Sequence, residues 1–171
     1  MDDYSIVIKG VEDGIHSFDF NIKDAFFKKF KHSEITNADI LANVILEKKN
    51  NKTVLIFNIS GQINNLLCDL CAEEISIEIQ TKNKMIVQEK PEYVESNDEI
   101  IYIASNENQV NIATLLFELI TVSLPTKRRH KISNGVSECN KEMLHLIDKY
   151  KDNSIPSLDP RWNALKEIKI K

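Results

Sequence analysis

An α+β fold, an antiparallel sheet of about five or six strands covered by helices with a helical C-terminal third, is what this 171-residue sequence predicts. Three observations carry that expectation. Apolar and polar residues alternate through Ala38, Ile40, Ala42, Val44 and Leu46, and again through Ile75, Ile77 and Ile79, so each segment has one dry and one wet face. Val110, Ala113, Leu116, Phe117 and Ile120 recur at helical spacing until Pro125 stops the pattern. The same spacing returns at Met143, Leu144 and Ile147.

Taken in order, residues 4–9 (YSIVIK) and 15–20 (IHSFDF) read as two short strands separated by Gly10 and Gly14, and their proximity predicts a first hairpin. Residues 22–31 (IKDAFFKKFK) place Ile22, Ala25, Phe26 and Phe30 on one helical face, with Lys23, Lys28, Lys29 and Lys31 on the other. This predicts a short amphipathic helix with a basic outer surface. The alternating segment 38–46 is followed by a turn at 49–52 (KNNK) and by the β-rich run 53–59 (TVLIFNI). An interruption is expected at 64–71, then a strand at 74–80, an acidic surface loop at 89–99 and a last strand at 100–103. Helices are expected at 111–122, near 140–150, and from Arg161 to about residue 168. Asp159 would cap the last of these, Pro160 would occupy its first turn, and Trp162 and Leu165 would share one side.

Composition excludes several functional classes. With 42% apolar and 28% charged residues the chain has a globular balance, and no stretch approaches the ~18 consecutive apolar residues of a membrane span. The start Met1-Asp2-Asp3 lacks the basic-then-apolar order of a signal peptide, so a cytoplasmic location is expected. Three cysteines without an export signal argue against a disulfide framework and leave reduced thiols or a metal. A net charge of −4 disfavours an overall electrostatic nucleic-acid binder but allows a local basic patch. Only four glycines are present, with neither a dinucleotide fingerprint nor a phosphate-binding P-loop among them. Asp13, His16 and Asp19 alternate as residues on a solvated strand face would, while His32 and His145 lack companions at useful spacing.

The sharpest motif is Cys68-Asp69-Leu70-Cys71, because a C-x-x-C knuckle lets two thiolates converge on one tetrahedral metal. Two further ligands are needed, and Cys139 and His130 are the available ones, which makes a Cys₃His zinc site from Cys68, Cys71, His130 and Cys139 one reading. Two ordinary buried thiols at a strand turn are the other. A thioredoxin-like redox role fits poorly, since that chemistry needs the first cysteine at a helix N-terminus and here a strand follows. Basic residues gather at Lys127, Arg128, Arg129, His130 and Lys131, and again at Arg161, Lys166, Lys169 and Lys171. Arginine is scarce, three residues against 19 lysines, and its planar fork suits phosphate recognition. Both clusters read either as phosphate contacts or as plain solvated segments.

Gly61-Gln62-Ile63 followed by Cys68-x-x-Cys71, a helix ending at Pro125, and Asp159-Pro160-Arg161 with Leu165, in that order, resemble the YceD-type family of large ribosomal RNA subunit accumulation proteins, small bacterial proteins with plastid relatives. The resemblance implies a single YceD-like domain over residues 1–171 and a non-enzymatic, cytoplasmic role in large-subunit ribosomal RNA accumulation and large-subunit assembly. It also implies a partner that is large-subunit ribosomal RNA or a large-subunit ribosomal protein, with no membrane and no small-molecule substrate. Lys127, Arg128, Arg129 and Arg161 are then the expected contact residues. Leu70 stands where many relatives have arginine, and His130 and Cys139 stand where many carry cysteines. The second departure is compatible with an exchange of imidazole for thiolate, which zinc accepts. A protein–protein adaptor that never touches RNA is the competing expectation.

Overall fold

The computed structural model describes residues 2–50, 52–92, 94–97, 99–133 and 136–151. After a 3-10 turn at Asp2–Tyr4, strands β1 (Ser5–Val7) and β2 (Gly14–Lys23) lead into one helical turn, α1 (Asp24–Phe27). Three long strands follow, β3 (Asn37–Lys49), β4 (Lys52–Leu67) and β5 (Glu74–Lys90), then β6 (Ile100–Ala104) and β7 (Gln109–Asn111). Helix α2 (Ala113–Ser123), the two-residue strands β8 (Ile132–Ser133) and β9 (Val136–Ser137), and helix α3 (Lys141–Tyr150) complete the described chain. Strands β2 to β6 form one sheet in chain order, while β1 with β7 and β8 with β9 form two-stranded sheets. Among the described residues no helix is long and apolar enough to cross a membrane.

The alternation of the middle third becomes the core. Ala38, Ile40, Ala42, Val44 and Leu46 of β3 point the same way as Leu55, Phe57, Ile59 and Ile63 of β4 and Ile79, Met85 and Val87 of β5, and all are buried. Helix α2 covers this face with Ala113, Leu116 and Ile120. Beside it an aromatic group closes the edge, in which Phe30 stacks on Phe117 at 4.1 Å and Phe26 meets Tyr4 and Phe27 edge-on. Between β3 and β4, Asn50 adopts φ +47, the left-handed geometry that tight hairpin turns require and asparagine tolerates. Gly61 has a different reason to be glycine. A Cβ there would strike the Asp39 carbonyl oxygen and lie 2.6 Å from the Ile40 Cα on the paired strand, at a φ of +156 that side chains rarely adopt.

The expected fold class is overturned in three respects. The described chain is mostly β, and its last third carries α2 and α3 beside a small hairpin rather than a helical layer. The sheet is mixed, because β6 runs parallel to β5 with Ile86 opposite Ile100 and Lys90 opposite Ala104. Alternation fixes which face is dry but not which way a strand runs. The return needs to cover only four residue steps, roughly 13 Å, which the link 91–99 spans easily.

The first hairpin is also absent, since β1 pairs with β7 through Ile6 and Val110 while β2 pairs with β3. Ile8 and Lys9 donate their N–H groups to the Asn108 carbonyl, and Lys9 Nζ reaches Glu89 and the Ser105 carbonyl. These bonds draw the first strand across the sheet. The amphipathic helix expected over 22–31 shrinks to one turn, because Ile22 and Lys23 finish β2 and the Asp24 carboxylate accepts the Ala38 N–H at 3.0 Å. Phe26, Phe27 and Phe30 still reach the core side, through tight turns in which Lys29 and Phe30 donate to the carbonyls three residues back.

Candidate metal centre

Strand β4 carries a bulge between Ile63 and Leu66, with Asn65 at φ +57, so that Leu66 returns to the core and the chain is turned toward the knuckle. There Ala72, also at positive φ, donates to the Cys68 carbonyl at 2.9 Å, and Cys68 donates to the Glu73 carbonyl at 2.8 Å. This tight loop sets Cys68 and Cys71 side by side at the start of β5. Leu70, between them, packs against the core.

The opposing ligands arrive from the chain that follows α2. Leu124 leaves the helix in an extended conformation and Pro125 prevents its continuation. The segment beyond it then docks on the knuckle: Asp69 N–H donates to the Arg128 carbonyl at 2.7 Å and Arg128 N–H donates to the Asp69 carboxylate at 2.6 Å. Two residues later His130 turns its Nδ1 toward Cys71. After β8 and β9 the chain brings in Cys139, and Asn140 starts α3 by accepting the Glu142 and Met143 N–H groups while donating to Glu73 at 2.7 Å. That side chain ties the helix start to the knuckle.

Cys68, Cys71, His130 and Cys139 therefore meet, their ligand atoms all within 4.8 Å of one another. Cys68 Sγ lies 3.8 Å from Cys139 Sγ, and His130 Nδ1 lies 3.4 Å from Cys71 Sγ and 3.6 Å from Cys139 Sγ. A disulfide would need its sulfurs at about 2.05 Å, so none of the three cysteines is disulfide-bonded. Tetrahedral zinc, with bonds of about 2.3 Å to sulfur and 2.05 Å to nitrogen, would hold neighbouring sulfurs about 3.8 Å apart and sulfur and nitrogen about 3.6 Å apart. The three observed separations lie within about 0.2 Å of those edges. All three cysteines are at most 4% exposed.

Electrostatics at the knuckle favour the metal-binding form of the first thiol. Burial pushes the Cys68 pKa up, but the backbone N–H groups of Cys71, Leu70 and His130, together with the His130 side chain, outweigh it and lower the pKa from 9.0 to about 6. The donor set, soft sulfur with one imidazole, could hold a metal ion.

A family model described as "Large ribosomal RNA subunit accumulation protein YceD" matches residues 57–169. The chain belongs to the YceD family. No curated protein and no solved structure matches it. The YceD match contains all four clustered residues and the loop that joins them, whereas β1 to β3 and α1 precede it.

Among the expected contact residues, Lys127 and Arg129 are exposed. Arg128 is half-buried and engaged, its guanidinium 2.8 Å from Glu34 and 3.8 Å from Asp69. Sequence reasoning had no sign of this role, since neither carboxylate is near Arg128 in the chain. Arg161, and the helix expected behind Asp159 and Pro160, lie outside the described residues. Asp13, His16 and Asp19 form no site: His16 meets the Glu12 carbonyl, Asp13 accepts the Asn50 N–H and Asp19 accepts from Asn43.

Proposed function

We propose that this protein is a non-enzymatic factor for accumulation of large-subunit ribosomal RNA and assembly of the large ribosomal subunit. Its cationic loop, in this reading, is held in place by one structural zinc. The observation that carries the reading is the YceD match over residues 57–169, which spans the whole cluster of Cys68, Cys71, His130 and Cys139. The metal would contribute folding free energy rather than chemistry, since four protein ligands leave no position for an activated water. By joining the knuckle to the chain after α2 it would fix Lys127 and Arg129 in one orientation toward ribosomal RNA, with Arg161 contacting the same partner.

Depletion tests this reading. Large-subunit ribosomal RNA should fall relative to small-subunit RNA, with a matching loss of free large subunits on a sucrose gradient. Unchanged subunit profiles would remove it.

A second reading, an adaptor that contacts a ribosomal protein without touching RNA, is favoured by α3. Met143, Leu146, Ile147 and Tyr150 recur at i, i+3, i+4 and i+7 and are all exposed, the pattern of a helix face that packs on a partner.

A further inference from the structure

Residues 28–32 (KKFKH) and 125–131 (PTKRRHK) are separated by most of the sequence, and neither contains an acidic residue. The fold places them together. The end of β2 lies in register with Asp39, Gln62 and Glu78, so α1 emerges at the same end of the sheet as the cysteine knuckle. Phe30 stacks on Phe117 of α2, Arg128 pairs with Glu34, and a groove of about 350 Å³ runs between the two segments, lined by His32, Ser33 and Glu34 on one side and Leu124, Pro125 and Arg128 on the other.

Charge is distributed unevenly about this groove. Glu34, which lines the groove, pairs with Arg128, and Asp69 lies 3.8 Å from the same guanidinium. Lys28, Lys31, Lys127, Arg129 and Lys131 are exposed and make no ion pair among the described residues, and Lys29 lies over the Tyr4 ring at 5.8 Å. The acidic segment 89–99 begins at the opposite end of β5, a 17-residue strand of roughly 50 Å. In a chain of net charge −4 this leaves a local group of cations in the turn after α1 and the segment after α2.

We infer that the turn after α1 is the second half of an RNA-phosphate surface, with Lys28, Lys29 and Lys31 facing the same backbone as Lys127 and Arg129 across the groove. This rests on the RNA-directed reading above and extends it to residues that precede the YceD match. An anionic backbone fits the site because these exposed cations make no ion pair among the described residues, and the half-buried Arg128 locks the two segments at fixed separation. The competing occupant, an acidic protein, is separated by the test.

The test uses the full chain prepared with zinc, and two labelled probes: a large-subunit ribosomal RNA fragment and polyuridylate. Lys28→Gln/Lys29→Gln/Lys31→Gln removes three cations, so the slope of log affinity against log salt should become shallower by about two, and affinity at about 0.15 M salt should fall tenfold or more. Lys49→Gln/Lys82→Gln/Lys84→Gln removes the same charge from the open face of the sheet and should leave the slope within about half a unit of wild type. Lys28→Gln/Lys31→Gln keeps the Lys29 contact with Tyr4 and should show about two thirds of the triple variant's slope change, which guards against a folding artefact. If Lys127→Gln/Arg129→Gln weakens RNA binding and the turn variants behave like the open-face control, this inference falls and the RNA reading stands. If the wild-type chain binds neither RNA, both fall, and binding to a ribosomal protein instead would assign the groove to a protein partner.

Discussion

Asp69 and Arg128 hold each other by backbone and side chain together: one N–H donates to the partner's carbonyl at 2.7 Å, the other to the partner's carboxylate at 2.6 Å, and the guanidinium Nε lies 3.8 Å from the second carboxylate oxygen. The pair joins the knuckle to the opposing loop at a point between the ligands, so Cys71 and His130 are brought into register by protein bonds alone. Asp69→Ala should therefore weaken zinc binding without removing a ligand. Loss of one charge-assisted hydrogen bond at a partly exposed site is worth about 1 kcal/mol, or roughly fivefold in metal affinity. Competition against a chromophoric chelator would measure it, and an unchanged affinity would show that the ligands alone set the loop.

The metal itself gives the plainest measurement. Protein purified without chelator should carry about one zinc per chain, and cobalt substitution should give the visible bands of a tetrahedral thiolate site. Cys139→Ser should lose the ion, because the three remaining ligands come from only two segments. Chelation should lower the melting temperature of the wild-type protein and leave that of Cys139→Ser unmoved. Metal analysis that finds none would leave three buried reduced thiols.

Gly61→Ala probes the fold rather than the site. The added methyl meets the Asp39 carbonyl oxygen and the Ile40 Cα, both backbone, so neither can move aside as a flexible side chain would. Overpacking together with the strained φ should cost about 3 kcal/mol. A urea midpoint close to that of wild type would contradict the close approach of β3 and β4.

The strands were legible where a wet face alternates with a dry one, and Val44 and Ile75 sit inside as their spacing requires, whereas the continuation of β5 to Lys90, with Met85 buried, went beyond the strand expected at 74–80. Their partners were not. β1 pairs with the distant β7, and Lys9 beyond it meets Glu89 and Ser105, contacts that span 80 and 96 positions and leave no local pattern. The parallel β6 escaped for a similar reason, since direction is set by the loop and not by the strand. Cys68, Cys71, His130 and Cys139 could be named together because thiols are so few, but only the bulge at Ile63/Leu66 and the Asp69–Arg128 bonds explain why they converge. Arg128, expected from sequence to contact a partner, pairs instead with Glu34, and the 94 positions between them leave no local pattern to announce it.

Leu146→Lys separates the two functional readings. Leu146 is exposed on α3, a helix with no buried residue, so the change should alter stability by no more than about 0.5 kcal/mol. If RNA phosphates provide the attachment, the variant should still sediment with large-subunit precursors, and its association should decline with salt as steeply as that of wild type. Lys127→Gln/Arg129→Gln should instead lose association and flatten the salt dependence while retaining zinc and melting temperature. The reverse pattern, association lost with Leu146→Lys and retained without the two cations, would transfer the function to the apolar face of α3 and make the protein an adaptor, since a salt-insensitive helix contact rather than counterion release would then supply the affinity.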